Sequence, residues 1–360
     1  MKFGCLFTEY LQEERELLDE KCAHIEYVRL KKVLKSCQTC KPLHSSSSSS
    51  SPSLVSDLPN HQLCQCQSCP VCDQKFFSEL MKEASDIVGF FGSRVKHLLD
   101  LHVASGMQRY VLRLRQCFKN DRQALAQEGR ILIEYIAMNA IAMRKILKKY
   151  DKVHSSVNGK NFKSKMHTEH IELLHTPWLI ELGAFYLNSS GRDCCELNGV
   201  YGHFKCDLNV SDAVMTLILP DSIKLEYNLT CAICLDLVFN PYALGCGHIF
   251  CKSCACSAAS VMMFQGLKAA SPESKCPICR EDGVYPKKVR MLELGLLMKR
   301  RYQSVSWSHF ISYVNIAITI TRKFPRYNDY WKERLLSERN NMVKQSKEYW
   351  NMHNHNSLTL

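Results

Sequence analysis

The chain has no run of 18 or more apolar residues, so it offers no transmembrane helix. Its opening, MKFGCLFTEY, carries Lys2 and then Glu9 and lacks the apolar core of a secretory signal. Acidic residues are in deficit: 35 Asp and Glu stand against 47 Lys and Arg, a formal net charge of +12. Such an excess suggests a polyanionic partner, whether nucleic acid, a membrane surface or a phosphorylated small molecule. Basic segments interleaved with aromatics are also missing, which argues against direct nucleic-acid binding. At 360 residues the chain is long enough for two domains and their linkers.

Cysteine, by contrast, is abundant, with 20 in the chain. Eight potential metal ligands stand in one order, Cys231-x2-Cys234-x11-Cys246-x-His248-x2-Cys251-x2-Cys254-x21-Cys276-x2-Cys279. Each close pair can present two donors to one tetrahedral ion, and Zn²⁺ prefers four S or N ligands in a closed structural site. Four pairs make two such sites and leave no open position for a substrate, so this zinc holds a fold and does no chemistry. A chance run of buried or disulfide-bonded cysteines is the competing reading, and four pairs with a single His disfavour it. With seven thiols committed to zinc and no leader, a reducing cytoplasmic or nuclear setting is expected.

This segment resembles a C3HC4 RING finger, here residues 229–282. The resemblance implies interleaved ligands: Cys231, Cys234, Cys251 and Cys254 on one ion, Cys246, His248, Cys276 and Cys279 on the other. A module of about 50 residues cannot bury enough apolar surface to fold alone, so metal binding supplies the folding free energy. It also implies that the domain carries no nucleophile and instead docks a ubiquitin-loaded conjugating E2 enzyme. Ile233, Pro277 and Ile278 match the docking surface, and Arg280, directly after the eighth ligand, matches the linchpin between E2 and ubiquitin. A planar guanidinium with five donors suits that bridge better than Lys. One position departs: many RINGs place Trp where this chain has Ala258, and Val261, Met262 or Met263 is expected to supply the apolar contact.

Upstream, SSSSSSSPS at residues 45–53 reads as a flexible linker within a Ser/Cys-rich insert over 45–75. His61, Cys64, Cys66, Cys69 and Cys72 form a second cluster, open to free thiols, metal binding or redox chemistry. From Phe77 the period becomes helical, with Leu80, Ala84, Ile87, Phe91, Val95 and Leu98 among the recurring apolar positions. A break is expected near Asn120-Asp121, followed by a second long helix with Leu132, Tyr135, Ile136, Asn139, Met143 and Leu147 inward. Two long helices joined by a short turn form an antiparallel pair. With a further amphipathic stretch from Gln12 to Lys35, residues 1–165 read as an elongated helical bundle, and 166–228 as a connector.

Two basic clusters bear on what the bundle does: YVRLKKVLK from Tyr27 and RKILKKYDK from Arg144. On a helix Lys145, Lys149 and Lys152 fall at i, i+4 and i+7, where their like charges repel unless an anion neutralises them. A merely solvated basic face is the plain alternative. Together with the MKFG start, these segments resemble an SPX domain, a family that binds phosphate and, more tightly, inositol polyphosphates and pyrophosphates. The resemblance implies that Tyr27, Lys31 and Lys148 form a phosphate-binding cluster, with Lys145, Lys149, Lys152 and Lys2 beside it. Lys brings a point charge with three donors and Tyr a directional hydroxyl.

SPX followed by RING, with Trp178 in the connector and the tail YWKER…QSKEYW, resembles the plant nitrogen-limitation-adaptation (benzoic-acid-hypersensitive) ubiquitin ligases. The fold expected is therefore mostly α: an SPX-like bundle, a small zinc-stabilised α+β RING and a helical tail over 283–360. The function implied is a RING-type E3 ligase directing ubiquitin to membrane phosphate or nitrate transporters under phosphate control, in cytoplasm or nucleus and recruited to the plasma membrane. The competing reading is a non-catalytic scaffold, in which the RING serves interaction or homodimerisation. About 25 residues near 302–326 depart from the family, either a functional insert or a splice product, and would interrupt the helix leaving the RING.

Overall fold

The computed structural model describes residues 3–17, 22–34, 70–112, 118–154, 156–168, 171–189, 203–208, 213–219, 223–300 and 327–357. Lys2, the 302–326 insert and His61, Cys64, Cys66 and Cys69 of the second cluster lie outside them, while Cys72 falls in the first turn of a helix that starts at Pro70. None of the described helices is long and apolar enough to cross a membrane. The chain divides into two compact units, one of Met1–Ser93 with Tyr135–Leu174, the other of Arg94–Glu134 with His175–Leu360.

The first unit is helical: α1 (Phe3–Leu17), α2 (Tyr27–Val33), the first part of α3 (Pro70–Leu112), the last part of α4 (Phe118–His154) and α5 (Asn158–Thr168). The expected stripes are the core. Leu80, Ala84, Ile87 and Phe91 on α3 are buried, as are Tyr135, Ile136, Met143, Ile146 and Leu147 on α4. Phe77 lies beside Tyr150, and Phe90 beside Tyr135, so α3 and α4 run antiparallel. Asn139 is fully buried within this stripe because its amide is used: Oδ1 accepts the Ile25 N–H at 2.9 Å and Nδ2 donates to Tyr135 O.

The break expected near Asn120-Asp121 comes only slightly earlier: α3 is described to Leu112 and α4 begins at Phe118, so both residues lie at the start of α4. The amphipathic stretch from Gln12 to Lys35 takes in the end of α1 and all of α2, and residues 22–26 before α2 form no regular element. The Ile25 N–H serves Asn139, and Tyr135 Oη donates to Ala23 O, so tertiary bonds replace the helical ones.

The second unit contains α6 (Pro177–Ser189), a sheet in the order β1-β2-β3, and the zinc-ligand segment. Strands β1 (His203–Leu208), β2 (Ala213–Leu219) and β3 (Ile223–Asn228) form an antiparallel meander with Phe204 opposite Leu217 and Leu217 opposite Leu225. The 166–228 connector thus holds a sheet that was not expected. Gly183 on α6 lets Phe204 approach so closely that a Cβ would sit 2.7 Å from its ring. Downstream, β4 (Pro241–Ala243), β5 (Ile249–Cys251) and β6 (Val289–Arg290) form a second sheet in the order β5-β4-β6. Helix α7 (Lys252–Ala258) follows β5, α8 spans residues 292–300, and α9 spans Tyr327–Ser357.

Candidate functional site

The spacing of the Cys pairs is realised as two turns of the same construction. In the first, Leu235 N–H bonds Cys231 O at 2.8 Å and Cys231 N–H bonds Asp236 O at 2.8 Å. In the second, Arg280 N–H bonds Cys276 O at 2.9 Å and Cys276 N–H bonds Glu281 O at 2.9 Å. The residue after each second cysteine is forced into the left-handed region, Leu235 at φ 59° and Arg280 at φ 62°. A non-glycine residue there is uncommon, and the turn that presents two thiols together accounts for it.

The ligands gather as the resemblance implied. Cys231, Cys234, Cys251 and Cys254 form one cluster and Cys246, His248, Cys276 and Cys279 the other, with the ligand atoms of each within 4.8 Å of one another. The Cys234–Cys251 sulfurs are 3.7 Å apart. A disulfide would need about 2.05 Å, whereas two sulfurs each ~2.3 Å from a tetrahedral zinc lie roughly 3.8 Å apart. His248 turns Nδ1 to the second cluster, 3.3 Å from Cys246 Sγ and 3.6 Å from Cys276 Sγ. Crowding of the sulfurs, together with burial, holds the Cys251 and Cys246 thiols above the ordinary range, while Cys231 and Cys276 beside them are held below it. So many neighbouring thiolates need a cation, and the donor set fits two structural Zn²⁺ ions, which tie distant segments together.

The residues matched to E2 docking are all exposed. Ile233 and Ile278 occupy the same place in their respective turns, at 41% and 46% exposure, with Pro277 and Arg280 beside the latter. Exposed apolar side chains held on rigid turns suit protein docking. At the departure from the usual Trp, Ala258 is exposed and Met263 is buried, so Met263 is not available as the replacement. Phe264, which sequence reasoning passed over, is the exposed large apolar side chain of that loop.

Sequence reasoning also missed how this segment is held from outside. Glu181, on the apolar helix α6, is only 3% exposed. Its carboxyl accepts the N–H groups of Glu293 at 2.6 Å and Leu294 at 3.1 Å, capping the first turn of α8 as it leaves the zinc-ligand segment. Burial pushes Glu181 up to about 8, against the lowering effect of those bonds. Burial also acts to raise Glu293, but bonds from His102 and Asn188 outweigh it and hold that carboxyl below the ordinary range. Between ligands Cys246 and His248, Gly247 at φ 84° faces the His175 carbonyl, which a Cβ would meet at 2.8 Å.

In the first unit, residues from both basic clusters meet around Phe3. Tyr27 lies edge-on to that ring with centroids 5.2 Å apart, and Lys145 Nζ stands 4.6 Å from its centroid. Lys31 follows one turn after Tyr27 on α2, and Lys148, Lys149 and Lys152 continue along α4. Tyr27 is buried, Lys148 and Lys152 are exposed, and Lys31, Lys145 and Lys149 are half-buried. Arg29 does not join them: its guanidinium bonds Glu26, Glu79 and Glu83 at 3.1, 2.8 and 2.8 Å, fastening α2 to α3.

A RING-type zinc-finger family matches residues 231–270. Over nearly its whole length the chain is similar to a probable E3 ubiquitin-protein ligase BAH1-like of Arabidopsis thaliana, 59% identical over 352 residues, 98% of this chain and 97% of that one. It is 51% identical over 365 residues to the probable E3 ubiquitin-protein ligase BAH1-like 1 of Oryza sativa subsp. japonica, covering 97% of each. The E3 ubiquitin-protein ligase NLA of Arabidopsis thaliana is 40% identical over 363 residues, again 97% of each. No solved structure matches the chain.

Proposed function

Because the chain belongs to the plant BAH1/NLA family of RING-type E3 ubiquitin ligases, we propose that it reads phosphate status through an anion site in its N-terminal helices and directs ubiquitin to membrane phosphate or nitrate transporters. The transferase class rests on the family and on the closed pair of zinc sites. Neither site has an open coordination position, so the chain works by docking a loaded E2 enzyme and not by forming a ubiquitin ester itself. Ile233, Pro277 and Ile278 are the docking residues in this reading, Arg280 bridges E2 and ubiquitin, and Phe264 supplies the contact that Ala258 cannot.

Discharge of a ubiquitin-loaded E2 onto free lysine tests this surface. Ile233→Ala and Arg280→Ala should each slow discharge at least about tenfold, near 1.4 kcal/mol, while both zinc ions stay bound. Discharge at the wild-type rate by both variants would sink the assignment.

The sensor reading is carried by one observation: α1, α2 and α4 bring Tyr27 and Lys145 to the same ring, Phe3. A compact ligand with several phosphates would engage Lys31, Lys145, Lys148, Lys149 and Lys152 together with Tyr27, and Lys2 is assigned to the same ligand. Charge-assisted bonds to phosphate are roughly twice as strong as neutral ones. Calorimetry with an inositol pyrophosphate should therefore show at least about a tenfold loss for Lys145→Ala combined with Lys149→Ala. Arg29→Ala, which removes a cation already held by three carboxylates, should change affinity less than about twofold. Equal loss in both variants would mean that only net charge matters. Action on transporters places the ligase in the cytoplasm or nucleus with recruitment to the plasma membrane, alone or as a homodimer.

A further inference from the structure

The tail helix α9 lies against the RING along one face. Trp331, Arg334, Glu338, Met342, Gln345 and Tyr349, spaced three or four apart, all make RING contacts. Trp331 stacks on Phe239 with centroids 4.7 Å apart and is 8% exposed. Asn240 Nδ2 donates to Glu338 at 2.7 Å, and Met263 N–H donates to Gln345 at 2.9 Å.

Arg334 stands out on this face because it reaches the metal ligands. One end of its guanidinium donates to Asp236 Oδ2 at 2.9 Å. The other points at Cys234 Sγ and Cys251 Sγ, at 3.5 and 3.7 Å, and its carbon lies 5.6 Å from the Phe239 ring centroid. The Phe239 N–H adds a bond to Cys251 Sγ at 3.2 Å. Both sulfurs belong to the all-cysteine cluster. Four thiolates around one divalent ion carry a formal charge of about −2, against about −1 for three thiolates and an imidazole. The cluster with the greater excess of negative charge is the one that the guanidinium faces.

We propose that Arg334 is a positioning residue for the Cys231/Cys234/Cys251/Cys254 zinc site, so that retention of this one ion depends on docking of the tail helix. Charge compensation alone would be met by any nearby cation. The fork serves two sulfurs and a carboxylate at once while lying over an aromatic ring, which a Lys ammonium cannot do. Partners of metal ligands typically alter metal affinity by 10–100-fold, and Arg334 holds that place from about 80 residues downstream of the last ligand of its cluster.

The test follows release of both zinc ions from the full chain to a chromogenic chelator. Cobalt(II) substitution identifies the site, because thiolate charge-transfer absorption grows with the number of thiolates. Arg334→Ala should speed loss of the all-cysteine ion about tenfold or more and leave the ion at Cys246/His248/Cys276/Cys279 unchanged. Arg334→Lys should fall between the two, and Arg339→Ala, removing an exposed cation from the same helix, should behave as wild type. If Arg334→Ala releases both ions equally faster, or neither faster, or if Arg339→Ala matches it, the proposal is overturned. If the Ala variant fails to fold, Arg334→Lys decides, since wild-type release of the all-cysteine ion would refute the fork.

Discussion

Cys231→Ala should leave the chain with at most one bound zinc and reduce ubiquitin-chain formation to the no-ligase background. Cys231 is fully buried and participates in three ways: it presents a thiolate, its carbonyl receives the Leu235 N–H, and its N–H reaches Asp236. Only the thiolate is lost in the variant, yet that is enough. A structural zinc contributes on the order of 10–16 kcal/mol of apparent folding free energy, comparable to the whole ~5–15 kcal/mol net stability of most domains. Three donors cannot close the site, and the docking turns that carry Ile233 and Arg280 are themselves zinc turns. Cys256→Ala provides the contrast: this thiol is buried on α7 but belongs to neither cluster. That variant should keep two zinc ions and its activity, apart from a modest packing cost of about 1 kcal/mol. Metal content by mass spectrometry and chain formation with several E2 enzymes read both outcomes, and equal chain formation by Cys231→Ala and wild type would refute the zinc-dependent mechanism.

The second large effect is expected at Glu181. Glu181→Ala leaves the buried N–H groups of Glu293 and Leu294 without acceptors, at a cost of about 1–3 kcal/mol for each such group, and should lower the thermal midpoint of the RING-bearing unit by several degrees. The carboxyl also gives a pH signature. Its folded value, about 8, lies above the ordinary 4.5, so the folded state holds the proton more tightly. The stability this brings is fully present below pH 4.5 and is lost as pH rises toward 8, at up to roughly 1.4 kcal/mol per pH unit. Glu181→Gln cannot ionise, so the stability of wild type minus that of this variant should fall steadily from pH 5 to pH 8. A signed difference that stays constant, or rises, over that window would show that Glu181 is ionised in the fold at all these pH values.

How much was legible differs by element, and for physical reasons. The zinc ligands could be read because a Cys-x2-Cys turn is local: spacing alone places two thiols on one ion. The stripes Leu80–Phe91 and Tyr135–Leu147 could be read because burial on one side of a helix imposes a period that no distant contact alters. The meander β1–β3 was passed over although HFKCDL and IKLEYN alternate in the two-residue period of strands, with turn residues between them. The start of the second long helix is legible to within a few residues, because Asn and Asp mark a helix terminus without fixing its exact position. Phe264 is not legible as the exposed side chain of its loop, because only packing decides which of several neighbouring apolar residues turns outward.

The sequence by itself determined the two zinc sites, the helical N-terminal unit and the membership of the ligase family, since each rests on spacing or on similarity along the chain. Only the tertiary structure decided what surrounds them. A carboxylate on an apolar helix looks like an anomaly until α8 presents its unpaired N–H groups to Glu181. A tail face of Trp, Arg, Glu, Met, Gln and Tyr has no apolar period to announce it, because its contacts are hydrogen bonds, ring contacts and one guanidinium aimed at thiolates. Such contacts take their meaning from the partner atom, and the partner lies about 80 to 110 residues away in the chain.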